Sequence, residues 1–301
     1  ISKFSPGLNL TIFRASVSLF SAGILALLLV WLEAEFGILA YLLALFFLAF
    51  SPWLALLGGN LYWQTWSLFL PFVSGAIVNR RFSLQGTYQS KLIAKLVFVA
   101  TLTKILFSGF EFISTVLVSL TIPYVYYAIK DAWGMKVFIR RMISVSLIAL
   151  GATLAGLVVL CIQVGSETGS LKAGVETIYA TINRRSIGDP NEFTGVYAGA
   201  LSASFWEVFE RYVNGPALAF DGDFTGFFYP NGVAFHIVFS VIALFSCILA
   251  FVLYRSGHVP SHKSGIALLI TTWVSILAPL SWFVIFRAHA YIHTNLDHFV
   301  W

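Results

Sequence analysis

Apolar stretches of about twenty residues alternate along the chain with short polar punctuation. They cover roughly 11–32, 36–57, 61–79, 92–108, 110–128, 142–164, 233–254 and 265–287. A helix rises about 1.5 Å per residue, so some 20 apolar residues match the roughly 30 Å hydrocarbon core of a bilayer. The pattern predicts an all-α, polytopic integral membrane protein with about eight transmembrane helices. Only Gly58-Gly59-Asn60 separates the second run from the third, and only Ser108-Gly109 the fourth from the fifth. Those neighbours read either as tight hairpins or as re-entrant segments.

One sizeable polar stretch interrupts the pattern, dividing the chain into membrane helices over 1–164, an external loop region over 165–231, and further helices with a His-rich tail over 232–301. The loop region holds eight of the thirteen acidic residues. Turn signals stand at Gly188-Asp189-Pro190, Asn214-Gly215-Pro216, Asp221-Gly222-Asp223 and Tyr229-Pro230-Asn231-Gly232. Between them, 171–182 and 199–213 have helical character. Phe205, Trp206, Phe209 and Tyr212 make an aromatic face on the second, which either lies on the headgroup layer or packs on the bundle.

Charge sets the orientation. Arg80, Arg81, Lys91 and Lys95 share one short loop, Lys130, Lys136, Arg140 and Arg141 a second, Arg255 and Lys263 a third. With eight spans all three loops fall on one side, which the positive-inside bias makes cytoplasmic. The net charge of +5 is therefore accounted for by topology, and nucleic acid is not an expected partner. Only 10% of residues are charged, against roughly 25% in a soluble domain, so lipid must be the solvent for most of the surface. Cys161 and Cys247 lie inside apolar runs and read as inert buried thiols. The chain opens on Ile1 and stops at Trp301 amid aromatic and His residues, and we expect residues missing at both ends. An even span count leaves both visible ends outside, so a cytoplasmic N-terminus would need another helix upstream.

Four external features are candidates for chemistry. Asn60 and Trp63 belong to the turn Gly58-Gly59-Asn60-Leu61-Tyr62-Trp63, which is either a piece of a site or an interfacial aromatic belt. Glu111, in Gly109-Phe110-Glu111-Phe112, is an acid at or near membrane depth. Such acids are candidates for a base or a cation partner, although one opening a helix also suits the helix dipole. Arg287, His289 and His293 end the last run, and the His residues, four apart, share one face of a helix. That face suits a phosphate; the alternatives are interfacial anchoring and a divalent metal completed by Asp297 or His298. Asn183-Arg184-Arg185 is the fourth, its Arg pair either reading an anionic substrate or simply solvated.

Residues 12–79 carry a resemblance. Phe13-Arg14-Ala15-Ser16 opens an apolar span, Glu35-Phe36-Gly37 closes it, and Ser51-Pro52-Trp53-Leu54 ends the next before the Asn60 turn. This resembles the second to fourth membrane helices of GT-C glycosyltransferases, the polyprenyl-phosphate-sugar-dependent group that includes protein mannosyltransferase and aminoarabinose transferase relatives. The tail from Arg287 to Thr294 and the Asn60 and Glu111 turns look like those of uncharacterised bacterial membrane proteins of this type. The resemblance implies a GT-C-like fold in a bacterial inner membrane, a periplasmic active face and a polyprenyl-phosphate sugar as donor. Arg287, His289 and His293 would hold the leaving phosphate, while Glu111, Asn60, Trp63, Arg184 and Arg185 would shape the catalytic and acceptor side. One departure matters. The family's catalytic acid sits between its first two helices, and the chain opens at what would be the second, so that acid would lie upstream of Ile1. Glu33 and Glu35 mimic an acidic motif but fall on the cytoplasmic side.

Two other classes compete. A lipid-carrier or small-molecule transporter would place ionisable groups mid-span, as Lys104 in one apolar run and the interior prolines Pro71 and Pro123 suggest. A non-catalytic subunit of a larger membrane complex needs no site at all. Geometry discriminates. An external cavity joining Glu111, Arg184, Arg185, His289 and His293 favours transfer, a mid-bilayer cavity around Lys104 favours transport, and polar residues scattered with no shared cavity favour the structural role.

Overall fold

The computed structural model describes residues 6–219, 232–255 and 262–293. It is almost wholly helical. In chain order the helices are α1 (Pro6–Phe36), α2 (Ile38–Phe50), α3 (Pro52–Leu57), α4 (Thr65–Gln85), α5 (Ser90–Ser108), α6 (Ile113–Lys130), α7 (Met135–Thr168), α8 (Leu171–Ile182), α9 (Val196–Ser202), α10 (Phe205–Val213), α11 (Phe235–Arg255), α12 (His262–Ser275), α13 (Leu277–Ile285) and α14 (Arg287–Ile292). Two short strands, β1 (Pro216–Ala219) and β2 (Gly232–Ala234), pair antiparallel.

Among the described residues, five segments are both long and apolar enough to cross a membrane: Gly7–Phe36, Ile113–Lys130, Met135–Thr168, Phe235–Arg255 and Lys263–Ile285. This falls short of the expected eight, for local reasons. The 36–57 run breaks at Ser51, whose hydroxyl accepts from the Leu54 amide at 3.3 Å while Pro52 opens the next helix. Ser followed by Pro is a helix start, because the proline lacks only an amide that the first turn would leave unbonded. The break leaves α2 with 13 residues. α4 and α5 have length, but Asn79, Arg80 and Arg81 in the first and Lys91, Lys95 and Lys104 in the second dilute their apolar character. The last run bends at Ile276, dividing α12 from α13, yet Lys263–Ile285 still counts among the five.

The outward faces suit lipid rather than water. No side chain of α2 is buried, and along α11 Leu244, Phe245 and Phe251 point outward. Contiguous apolar surface on this scale is compatible with an integral membrane protein.

α4 and α6 form the centre, with α1, α5, α7, α12 and α13 around them. Residues 256–261 of the third basic loop lie outside the described residues. The other two loops, between α4 and α5 and between α6 and α7, lie at one end of this bundle, where Ser83 donates to Asp131. There Glu35, at the end of α1, meets Arg80 at 3.2 Å and Lys130, and it accepts from the Tyr127 and Tyr126 hydroxyls at 2.8 and 3.2 Å. Nearby, the Arg141 guanidinium is sandwiched between the rings of Tyr88 and Trp133 at 3.7 and 4.0 Å. The described part of the polar region, residues 165–219, stands at the other end.

Within that region α8 folds back along the end of α7. A Cβ on Gly174 would come within 2.6 Å of the Gly165 amide nitrogen, so only glycine lets the two helices approach this closely. The expected 199–213 helix is two, since Ala203 adopts extended backbone and Ser204 caps α10 by accepting from the Glu207 amide at 3.1 Å. The aromatic face is divided. Tyr212 is fully buried against the bundle, while Trp206 stands outward at 72% exposure. The turns at Asp221-Gly222-Asp223 and Tyr229-Pro230-Asn231 lie outside the described residues.

Candidate functional site

The turn between α5 and α6 is built to present a carboxylate. Gly109, at φ +58° and ψ −150°, sits where side chains are not tolerated, and Phe112 adopts a left-handed φ of +55°. Phe112 is nevertheless held by burial and by the Trp282 ring, 5.0 Å away. Lys104, fully buried one turn before the helix end, donates to the carbonyls of Gly109 at 2.8 Å and of Glu111. Its side-chain nitrogen thus bridges the carbonyl of the helix C-cap and one in the turn beyond, so it shapes this turn.

Glu111 projects from the turn at only 7% exposure, and both carboxylate oxygens are engaged. Oε1 meets Arg185 Nη1 at 2.9 Å; Oε2 meets His289 Nε2 at 2.8 Å. The partners lie 74 and 178 residues away and come from different elements. Arg185 is delivered by the π-helical turn 183–187 that follows α8, and His289 by α14. Burial works to raise the Glu111 carboxyl, but the His289 hydrogen bond and the charges of His289, Arg185 and His293 outweigh it and hold the group below the ordinary carboxylate range.

His293 completes the cluster from the end of α14. The imidazoles of His289 and His293 lie 4.5 Å apart, as their four-residue spacing implied. Burial pushes the His293 pKa down, and the His289 charge adds to that shift. Trp63 closes one side, edge-on to His293 at 6.3 Å, and Trp282 packs against His289 at 5.6 Å. Tyr212 fixes this stretch by donating its hydroxyl towards the carbonyls of Ala290 and His293 at 2.7 and 2.9 Å.

The other expected residues have different placements. Asn60 works on its own turn, its side-chain oxygen accepting from the amides of Tyr62 and Trp63, each at 2.8 Å. It thereby sets the direction of Trp63. Arg184 turns away from Glu111 and stacks over the Tyr197 ring at 4.7 Å. Arg287 donates to the Leu201 carbonyl at 3.2 Å, tying α14 to α9. Arg287 therefore does not join the two histidines as expected; the guanidinium that shares the Glu111 carboxylate with His289 is that of Arg185. Two residues noted in the sequence for other reasons, Lys104 and Tyr212, support this site in roles that sequence reasoning did not assign. A lysine five residues before a glycine that ends an apolar helix was a readable sign for Lys104; nothing local marks Tyr212.

Among the described residues no three His, Cys, Asp or Glu side chains gather in a way that could hold a metal ion; Asn295, Asp297 and His298 lie outside them. A cavity of about 320 Å³ opens just inward of the cluster. Phe112, Phe72, Val116, Phe239 and Pro279 give it apolar walls, and Thr115, Ser119, Thr272 and Ser275 line it as well. Compared with protein-family models, with curated proteins and with solved structures, the chain has no significant match in any of the three.

Proposed function

We propose that this chain is an integral membrane glycosyltransferase of GT-C type. In this reading it crosses the bilayer about eight times, with the basic loops cytoplasmic and the Glu111 cluster on the outer, periplasmic face of a bacterial inner membrane. It would take sugar from a polyprenyl-phosphate donor. The observation that carries the reading is the convergence of Glu111, Arg185, His289 and His293 from three distant stretches of the chain onto one buried point. A carboxylate held ionised beside a partly exposed guanidinium and two imidazoles suits transfer from a phosphate leaving group.

In the proposed reaction the acceptor hydroxyl gives its proton to the Glu111 carboxylate as its oxygen attacks the anomeric carbon. The bond from that carbon to the donor phosphate breaks, and polyprenyl phosphate leaves with the electron pair. Arg185 and His293 stabilise the leaving phosphate, and His289 keeps Glu111 aimed. The isoprenoid tail would lie in the apolar cavity that begins at Phe112. The place of Lys104, bonded to the turn rather than to a mid-bilayer cavity, supports transfer over transport.

The saturation of Glu111 favours a second reading. With Oε1 on Arg185, Oε2 on His289 and little exposure, it can serve as a clamp joining the loop region to the bundle in a non-catalytic subunit. One assay distinguishes the two readings. In full-length protein with a labelled polyprenyl-phosphate sugar, His293→Ala is expected to lower transfer at least roughly tenfold at unchanged expression, since it removes a positioned partner of the leaving phosphate. His289→Ala is expected to lower it further. Wild-type turnover in both variants would sink the transferase assignment.

A further inference from the structure

We infer that the opposite end of the bundle carries a dedicated seat for an anionic phospholipid, in a groove between α1 and α4. The inference rests on the membrane-embedded reading, though not on the catalytic one.

The two helices line a groove of about 410 Å³ near the basic end. Leu27, Val30, Trp31 and Ala34 come from α1, at the spacing that keeps residues on one helix face. Ile77 and Leu84 of α4 complete an apolar wall. Several of these are well exposed, Val30 at 58% and Leu84 at 70%, so the groove is open sideways where acyl chains would lie.

Polar lining is confined to α4. Arg80, Arg81 and Gln85 enter the groove there. Arg80 is already committed to Glu35, which is shared with Lys130. Arg81 is exposed, and its Nε reaches only its own helix, to Gln85 Oε1 at 3.4 Å. The local acids are Glu35, an exposed Glu33 and Asp131, and Asp131 accepts from the Ser83 hydroxyl at 2.8 Å. Against them stand Arg80, Arg81 and Lys130, with Arg140 and Arg141 on the neighbouring helix α7. An apolar trough ending in a guanidinium that, among the described residues, no carboxylate engages matches an acyl chain ending in a phosphate, since cationic pockets between membrane helices on the basic side select anionic headgroups. A zwitterionic lipid would fill the trough equally well but gain less from Arg81.

The test uses the full chain reconstituted in vesicles of phosphatidylglycerol and phosphatidylcholine, extracted gently, with retained lipid counted by native mass spectrometry. Wild-type protein is expected to keep phosphatidylglycerol preferentially. Arg81→Gln should weaken that retention about fivefold, the scale of one basic side chain at a lipid surface. Lys91→Gln, with the same charge change at the same end but outside the groove, should leave it near wild type. Ala34→Trp fills the groove without changing charge and should also lower retention. Equal effects of Arg81→Gln and Lys91→Gln, or no effect of Ala34→Trp, would overturn the seat in favour of diffuse surface charge. A wild-type chain that cannot be reconstituted into bilayers would overturn the membrane reading, and the seat with it.

Discussion

Glu111→Gln is expected to abolish most transfer, by about 10²–10⁴-fold, while leaving the fold close to wild type. The size is that of a positioned general base, which the amide cannot replace because it takes no proton at accessible pH. The fold survives because glutamine keeps the shape and retains an acceptor for either Arg185 or His289. Glu111→Ala behaves differently. It leaves an imidazole at 3% exposure without its partner and loosens both α14 and the 183–187 turn, so stability falls as well. Measuring transfer and thermal unfolding on both variants separates the proton role from the clamp. Loss of stability with unchanged transfer would support the clamp reading.

Acidification is expected to loosen the same cluster. The folded Glu111 carboxyl titrates below its unfolded counterpart, so the stability it contributes is present above the unfolded value and is lost as pH falls through the folded one. His293 is also held below its ordinary value of 6.5; the unfolded chain therefore binds its proton first, and stability begins to fall below about pH 6.5. The two effects have the same sign and act in succession, His293 first. Thermal unfolding followed between neutral pH and about pH 4 should show a falling midpoint in wild type. His293→Gln should remove the upper portion of that fall and Glu111→Ala the lower portion. A midpoint that rises on acidification would contradict both assignments.

Much of this site was legible in the sequence because ionisable groups in apolar surroundings stand out. Glu111 interrupts an apolar run, and His289 and His293 have a helical spacing that forces their rings together. The choice between Arg184 and Arg185 was not legible. Adjacent residues project in different directions, and the π-helical turn carrying them, which local residue types do not signal, decides which one meets the carboxylate. Arg287 misled for a related reason. It opens a separate short helix after the bend at Phe286, so its guanidinium points towards Leu201. The eight apolar runs follow from hydropathy alone, whereas the helices also answer to caps and breaks. Ser51-Pro52 was a visible break; the bend at Ile276 was not. Glu35 was placed correctly at the basic end, but its binding by two tyrosines, Arg80 and Lys130 depends on how α1, α4 and α6 pack.

The account depends most on the Glu111 cluster and the basic loops lying on opposite faces of a membrane. Single cysteines test this directly, in a chain whose Cys161 and Cys247 are first replaced by alanine. Ser186→Cys lies beside Arg185, and Lys91→Cys lies at the start of α5, beside the loop after α4. With a membrane-impermeant maleimide on intact cells, Ser186→Cys should label fully and Lys91→Cys only after permeabilisation. Labelling of both without permeabilisation, or of Lys91→Cys alone, would contradict the proposed arrangement.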